Sequence, residues 1–129
     1  MCGSDARRSP RRGTPSAYNG LVRIPRTVTL RSETSGPDRR YLGASIVDNQ
    51  LHIEGQDLGP KTSMVSRDGE YEWIHVVARR DFPALIAALG GEPGEDILDV
   101  LERVATGDGS YELERLLRDG VVPCETHVV

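Results

Sequence analysis

The stretch Tyr41-Leu-Gly-Ala-Ser-Ile-Val-Asp-Asn-Gln-Leu-His-Ile-Glu-Gly55 reads as two strands around a two-residue turn, and its register can be worked out on paper. Asp48 and Asn49 tolerate the positive φ angles that tight hairpin turns require. If Val47 pairs with Gln50, then Ile46 meets Leu51 and Ala44 meets Ile53, so the apolar residues share one sheet face. Ser45, His52 and Glu54 fall on the other. That agreement commits the segment to an antiparallel hairpin.

Working outward toward the C-terminus, Glu54-Gly-Gln-Asp-Leu-Gly-Pro60 reads as the end of the second strand. Gly55 permits a bend or bulge there, and Gly59-Pro60 turns the chain into a loop of roughly a dozen residues. Glu70-Tyr-Glu-Trp-Ile-His-Val-Val-Ala78 then supplies aromatic and β-branched residues for a third strand. Ile74, Val76 and Ala78 point one way, and Tyr71, Trp73, His75 and Val77 the other. A strand apolar on both sides belongs in the middle of a sheet.

Helical spacing takes over after Ala78. Asp81 can cap and Pro83 suits a first turn; Phe82, Leu85, Ile86 and Leu89 form a stripe that Gly90-Gly91 ends. Glu95 and Asp96 open a second helix carrying Ile97, Leu98, Leu101 and Val104. Ser110 opens a third, with Leu113, Leu116 and Leu117, closed by Gly120. The last stretch, 121–129, alternates like a strand, with Val122, Cys124, Thr126 and Val128 on one face and Glu125 and His127 on the other; Pro123 places it at an edge. The order predicts an α+β domain, an antiparallel sheet with three short helices on one face.

Working outward toward the N-terminus, the signal fades. Residues 31–40 read as loop, and 21–31 as a short edge strand or extended linker because of Pro25. Residues 1–20 offer too little apolar surface to offset the entropy of ordering, so 1–40 reads as a basic, disordered arm and 41–129 as an acidic α+β domain. The charge layout marks the same division. Residues 1–40 hold nine arginines against three acids, a net +6, and 41–129 hold seven basic against 17 acidic residues, a net −10.

The bulk numbers bound the class. At 129 residues, with 37% hydrophobic residues against a usual ~45–50%, the chain fits one core plus a segment outside it. Two cysteines at opposite ends fit a reducing cytoplasm, and neither a secretory h-region nor a run of ~18 apolar residues is present. No membrane role is expected.

Few constellations point to chemistry. There is no nucleophile elbow, phosphate loop or dinucleotide fingerprint, and the carboxylates of the helices fall on their polar faces, so no catalytic residue and no cofactor is expected. Cys124 and His127 could share a metal only if His52 or His75 joined them, and strand alternation sets the first two on opposite faces; no metal site is expected. Arg7, Arg8, Arg11 and Arg12 resemble a nucleic-acid tail, although the acidic body would repel phosphate, and 15 arginines to one lysine suggest a GC-rich gene whose arm stems from an early start codon. The remaining cluster is on the sheet face expected away from the helices: His52, Glu54, Tyr71, Trp73 and His75, with Gln56 and Asp57 near by. Aromatic residues among acids favour a basic protein partner. The competing reading covers Trp73 with residues 21–31 or with a second copy of the chain in a homodimer.

The elements "IEGQDLGP", "EYEW", "FPALIAALGGEPGEDIL" and "YELERLLRDGVVP" resemble a group of short, uncharacterised actinobacterial proteins with the same segments in the same order, over about residues 50–123. The resemblance implies a bacterial source and the same small cytoplasmic fold, and it brings no catalytic residues. The ending "PCETHVV" differs from the aromatic-rich ending of that group. Together these features lead to the expectation of a non-enzymatic interaction protein, such as an immunity-type inhibitor of a basic partner. The alternatives are a nucleic-acid-associated regulator using the arm, and a metal- or ligand-binding enzyme around His52, His75 and Glu54.

Overall fold

The computed structural model describes residues 26–60 and 69–129. In chain order these form β1 (Thr27–Ser35), β2 (Asp38–Val47), β3 (Gln50–Leu58), β4 (Glu70–Val77), a 3-10 turn (Arg79–Asp81), α1 (Phe82–Ala88), α2 (Ile97–Val104), α3 (Asp108–Arg118) and β5 (Glu125–Val128). All strand pairs are antiparallel and the sheet order is β1-β2-β3-β4-β5, with β5 at an edge as Pro123 implied. The fold is α+β.

The β2–β3 hairpin has the register read from the sequence: Val47 opposite Gln50, Ile46 opposite Leu51 and Ala44 opposite Ile53. Asp48 and Asn49 take φ of 50° and 67°, the left-handed pair whose twist matches that of the flanking strands. Leu42, Ala44, Leu51 and Ile53 are sealed beneath the helices by Leu85, Leu101 and Leu113, among others. Burying such side chains stabilises the fold by about 1.5–3 kcal/mol each, so the hairpin face and the helical stripes hold each other in place.

Three expectations change. Residues 31–40, read as loop and arm, are the end of β1, a turn at Gly36-Pro37 and the start of β2, so the sheet begins at residue 27. Ser32–Ser35 are exposed and polar on both sides, which removes the alternation that reveals a strand. Residues 21–25 and the arginines Arg7, Arg8, Arg11 and Arg12 lie outside the described residues. Second, β3 does not bend or end at Gly55; it pairs without irregularity on both sides through Leu58.

Third, β4 presents the opposite face to the helices. Leu51 pairs with Val77, Ile53 with His75 and Gly55 with Trp73, so Trp73, His75 and Val77 are buried and Ile74 and Val76 face the other side. Gly55 explains the choice. A Cβ at that position would lie 2.2 Å from Cε2 and Cζ2 of Trp73, so the indole lies in the space the missing side chain leaves.

The helices follow their local signals with small shifts. Asp96 caps α2, its Oδ2 accepting the Asp99 N–H at 3.1 Å, and Val100 rather than Val104 joins the buried stripe. Asp81 precedes α1 without a side-chain cap bond. Ser110, expected to open α3, is buried within it. The Gly55–Trp73 contact yields the first prediction. Gly55→Ala overpacks the sheet and lowers unfolding stability by about 2–3 kcal/mol in urea titration, and pairing it with Trp73→Leu recovers part of that loss.

Candidate functional site

The site on the helix side is built from a buried charge. β1 carries a bulge between Thr29 and Arg31, which turns both Leu30 and Arg31 inward. The Leu30 carbonyl accepts the Gly107 N–H at 2.9 Å, tying the bulge to the start of α3. Arg31 is 4% exposed. Its Nε donates to Ser110 Oγ at 2.9 Å, its Nη2 to Glu114 Oε1 at 2.8 Å, and its guanidinium lies 3.7 Å from the centre of the Tyr111 ring. Ser110 in turn donates a hydrogen bond from its hydroxyl to the Gly107 carbonyl at 2.6 Å, so the chain of donors ends on backbone.

Glu114 joins this cluster to β4. Its Oε2 accepts the Trp73 indole N–H at 2.9 Å and lies 3.8 Å from His75 Nε2, while His75 Nδ1 and Thr126 Oγ1 of β5 are 2.8 Å apart. Burial pushes the Glu114 carboxyl up, but His75, Arg31 and Trp73 outweigh it and hold the group below the usual carboxylate range. Glu114 is therefore an ionised acceptor at neutral pH, not a proton donor. Its folded pKa is depressed, so the stability it confers is present above its unfolded value and lost as the pH falls through the folded one.

Beside this network, Tyr71, Trp73, His75, Glu114, Arg118 and Thr126 are among the residues that line a groove of about 630 Å³ between β4, β5 and the end of α3. The Tyr71 and Trp73 rings sit 5.3 Å apart at a tilt of 33°. Cys124 also borders it, with its thiol 3.7 Å from the Leu117 carbonyl. Among the described residues, Ser110 is occupied on both sides and neither it nor Cys124 is hydrogen-bonded to a side-chain base.

The seven residues expected on one surface are divided between two. Asp57, Tyr71, Trp73 and His75 are on the helix side, whereas His52, Glu54 and Gln56 are on the opposite, open face, where Gln56 donates to Glu72 at 3.1 Å. The constellation of His52, His75 and Glu54 is thereby taken apart, because the sheet stands between His75 and the other two. Cys124 precedes β5 and borders the groove on the helix side, whereas His127, opposite Ile74, is on the open face. Among the described residues no cluster of three His, Cys, Asp or Glu forms a metal-ligand set.

Arg31, Ser110, Tyr111 and Glu114 escaped the sequence reading. A signal existed on α3, where Ser110, Glu114 and Leu117 recur at i, i+4 and i+7 beside Leu113, placing a hydroxyl and a carboxylate on the apolar stripe. No protein-family model, curated protein or solved structure matches this chain.

Asp57 is the strained member of the helix side. Its Oδ1 is buried with no hydrogen-bond partner among the described residues, and burial raises its pKa despite the opposing pull of Arg40 and Arg31. A carboxyl whose folded pKa is raised lowers stability as the pH climbs through that window, and the cost persists above it. Asp57→Asn is therefore expected to increase unfolding stability by about 0.5–1 kcal/mol at neutral pH. The gain should vanish when urea titrations are repeated below the ordinary carboxylate pKa.

Proposed function

We propose that this protein is a non-enzymatic binding module that docks a basic protein partner on its open sheet face. The single observation that carries the reading is what the register collects there. Glu54 pairs with Ile74, Gln56 with Glu72, Leu58 with Glu70 and Val76 with Glu125, so four carboxylates from three strands surround two half-buried aliphatic side chains. Tyr41 lies flat over Gly43 on the same face, where a Cβ would come within 2.3 Å of its hydroxyl. No helix covers this side among the described residues, and all three pack on the other.

The charge is concentrated usefully. The described residues hold nine arginines against 18 carboxylates, and the helix acids are largely committed: Asp96, Asp99 and Glu102 to Arg26, Glu95 to Arg103, and Glu112 and Asp119 to Arg115. The pairing with Arg103 holds Glu95 down at about 2. On the open face, Arg39 is the one arginine the register places among the acids. Such a surface raises the encounter rate with a basic partner and disfavours acidic ones. An immunity-type inhibitor is one protein of this description.

The nucleic-acid reading retains the composition of the arm alone, and deleting residues 1–20 tests it with every described strand left in place. No helix of the described residues is long and apolar enough to cross a membrane. For the binding module, Glu54→Lys with Glu72→Lys should abolish capture of basic proteins from the source cell lysate, identified by mass spectrometry. Glu92→Lys with Glu102→Lys imposes the same charge change on the helix side and should leave capture largely intact. Equal loss in both variants would show that net charge, not the face, governs binding.

A further inference from the structure

Glu114 and Arg118 stand one helical turn apart on α3 and both line the groove, yet they do not pair. Glu four residues before Arg is the favourable order for a helix-surface ion pair. Here Glu114 is turned inward onto Arg31 and Trp73, and Arg118 makes no ion pair among the described residues. The groove therefore presents a carboxylate at its inner end and a guanidinium at its mouth, on residues about 6 Å apart along the helix axis. Leu117 and the rings of Tyr71 and Trp73 form the apolar surface between them.

The inner end has an open hydrogen-bonding position. Glu114 Oε2 holds one donor within bonding distance, the Trp73 indole, while His75 Nε2 stands off at 3.8 Å. A carboxylate oxygen accepts two donors, so one further N–H can be taken. Aromatic faces beside that oxygen favour a cationic one.

We propose that this groove binds a small zwitterion with an ammonium and a carboxylate joined by a short aliphatic chain. The ammonium meets Glu114 Oε2 and the Trp73 and Tyr71 rings, the chain lies on Leu117, and the carboxylate pairs with Arg118. A lone cation leaves Arg118 without a partner. A lone anion must approach the Glu114 carboxylate and the carbonyl end of α3, both of which repel negative charge. The volume of about 630 Å³ is within the ordinary range for small-molecule sites. This site is on the helix side, separate from the open face proposed to bind protein.

Trp73 is the only tryptophan, so its fluorescence reports on the groove directly. The intact chain is titrated with δ-aminovalerate, and with n-pentylamine and valerate as analogues that each lack one charge. The expected result is a saturable change in emission with δ-aminovalerate at about a tenfold lower midpoint than with either analogue, the worth of one charge-assisted hydrogen bond. Arg118→Gln, an exposed substitution that leaves the buried network in place, should bring the zwitterion to the midpoint of the amine. Three outcomes overturn the proposal: no response to any of the three compounds, equal responses to zwitterion and amine, or an unchanged zwitterion midpoint in Arg118→Gln.

Discussion

A guanidinium sealed inside a small domain constrains everything around it. Arg31 must find donors' partners for its charge within the fold, and it finds Ser110, Glu114 and the face of Tyr111, all on α3. Glu114 in turn needs compensation for its own burial and takes it from Arg31 and the Trp73 indole. Removing one partner from such a pair typically costs roughly 3–5 kcal/mol, because the other charge is left buried alone. The pair therefore fixes how α3 sits on the sheet, joining β1 to β4 across two intervening strands, and it decides which face of β4 turns toward the helices.

The same constraint separates the two surfaces. With Trp73 and His75 drawn under α3, the opposite face of β4 is left with Ile74, Val76 and the carboxylates Glu70 and Glu72, next to Glu54 of β3. An aromatic groove and an acidic sheet face thus lie back to back, each with its own chemistry. Surface ion pairs along α2 and α3 contribute little individually to stability, yet they offset much of the negative charge of the helix acids on the side away from the open face.

Much of the fold was legible in the sequence where one face is apolar and the other polar. The Asp48-Asn49 hairpin, the three helical stripes and the alternation of β5 all meet that condition, and each is near where the pattern put it, with Val100 taking the place of Val104 on α2 and β5 limited to Glu125–Val128 of the stretch 121–129. Two features did not. β1 hides because its bulge breaks the alternation at Leu30 and Arg31 and its second half is polar on both sides. β4 is apolar on both faces, so periodicity could not choose between them; the deciding information was Gly55, in a different strand, and Glu114, more than 40 residues away in sequence. Pairings of that kind become visible only when the strands are in register.

The most direct test of this arrangement is hydrogen exchange at the indole N–H of Trp73, a single resonance because the chain has one tryptophan. Donation to Glu114 from a side chain 9% exposed predicts slow exchange, with protection approaching that of the core amides of β3. It also predicts that Glu114→Leu speeds that exchange while the amides of the β2–β3 hairpin remain protected. An indole proton that exchanges at the rate of a solvent-exposed tryptophan in the folded wild-type chain would contradict the account, since Trp73 would then lie on the open face.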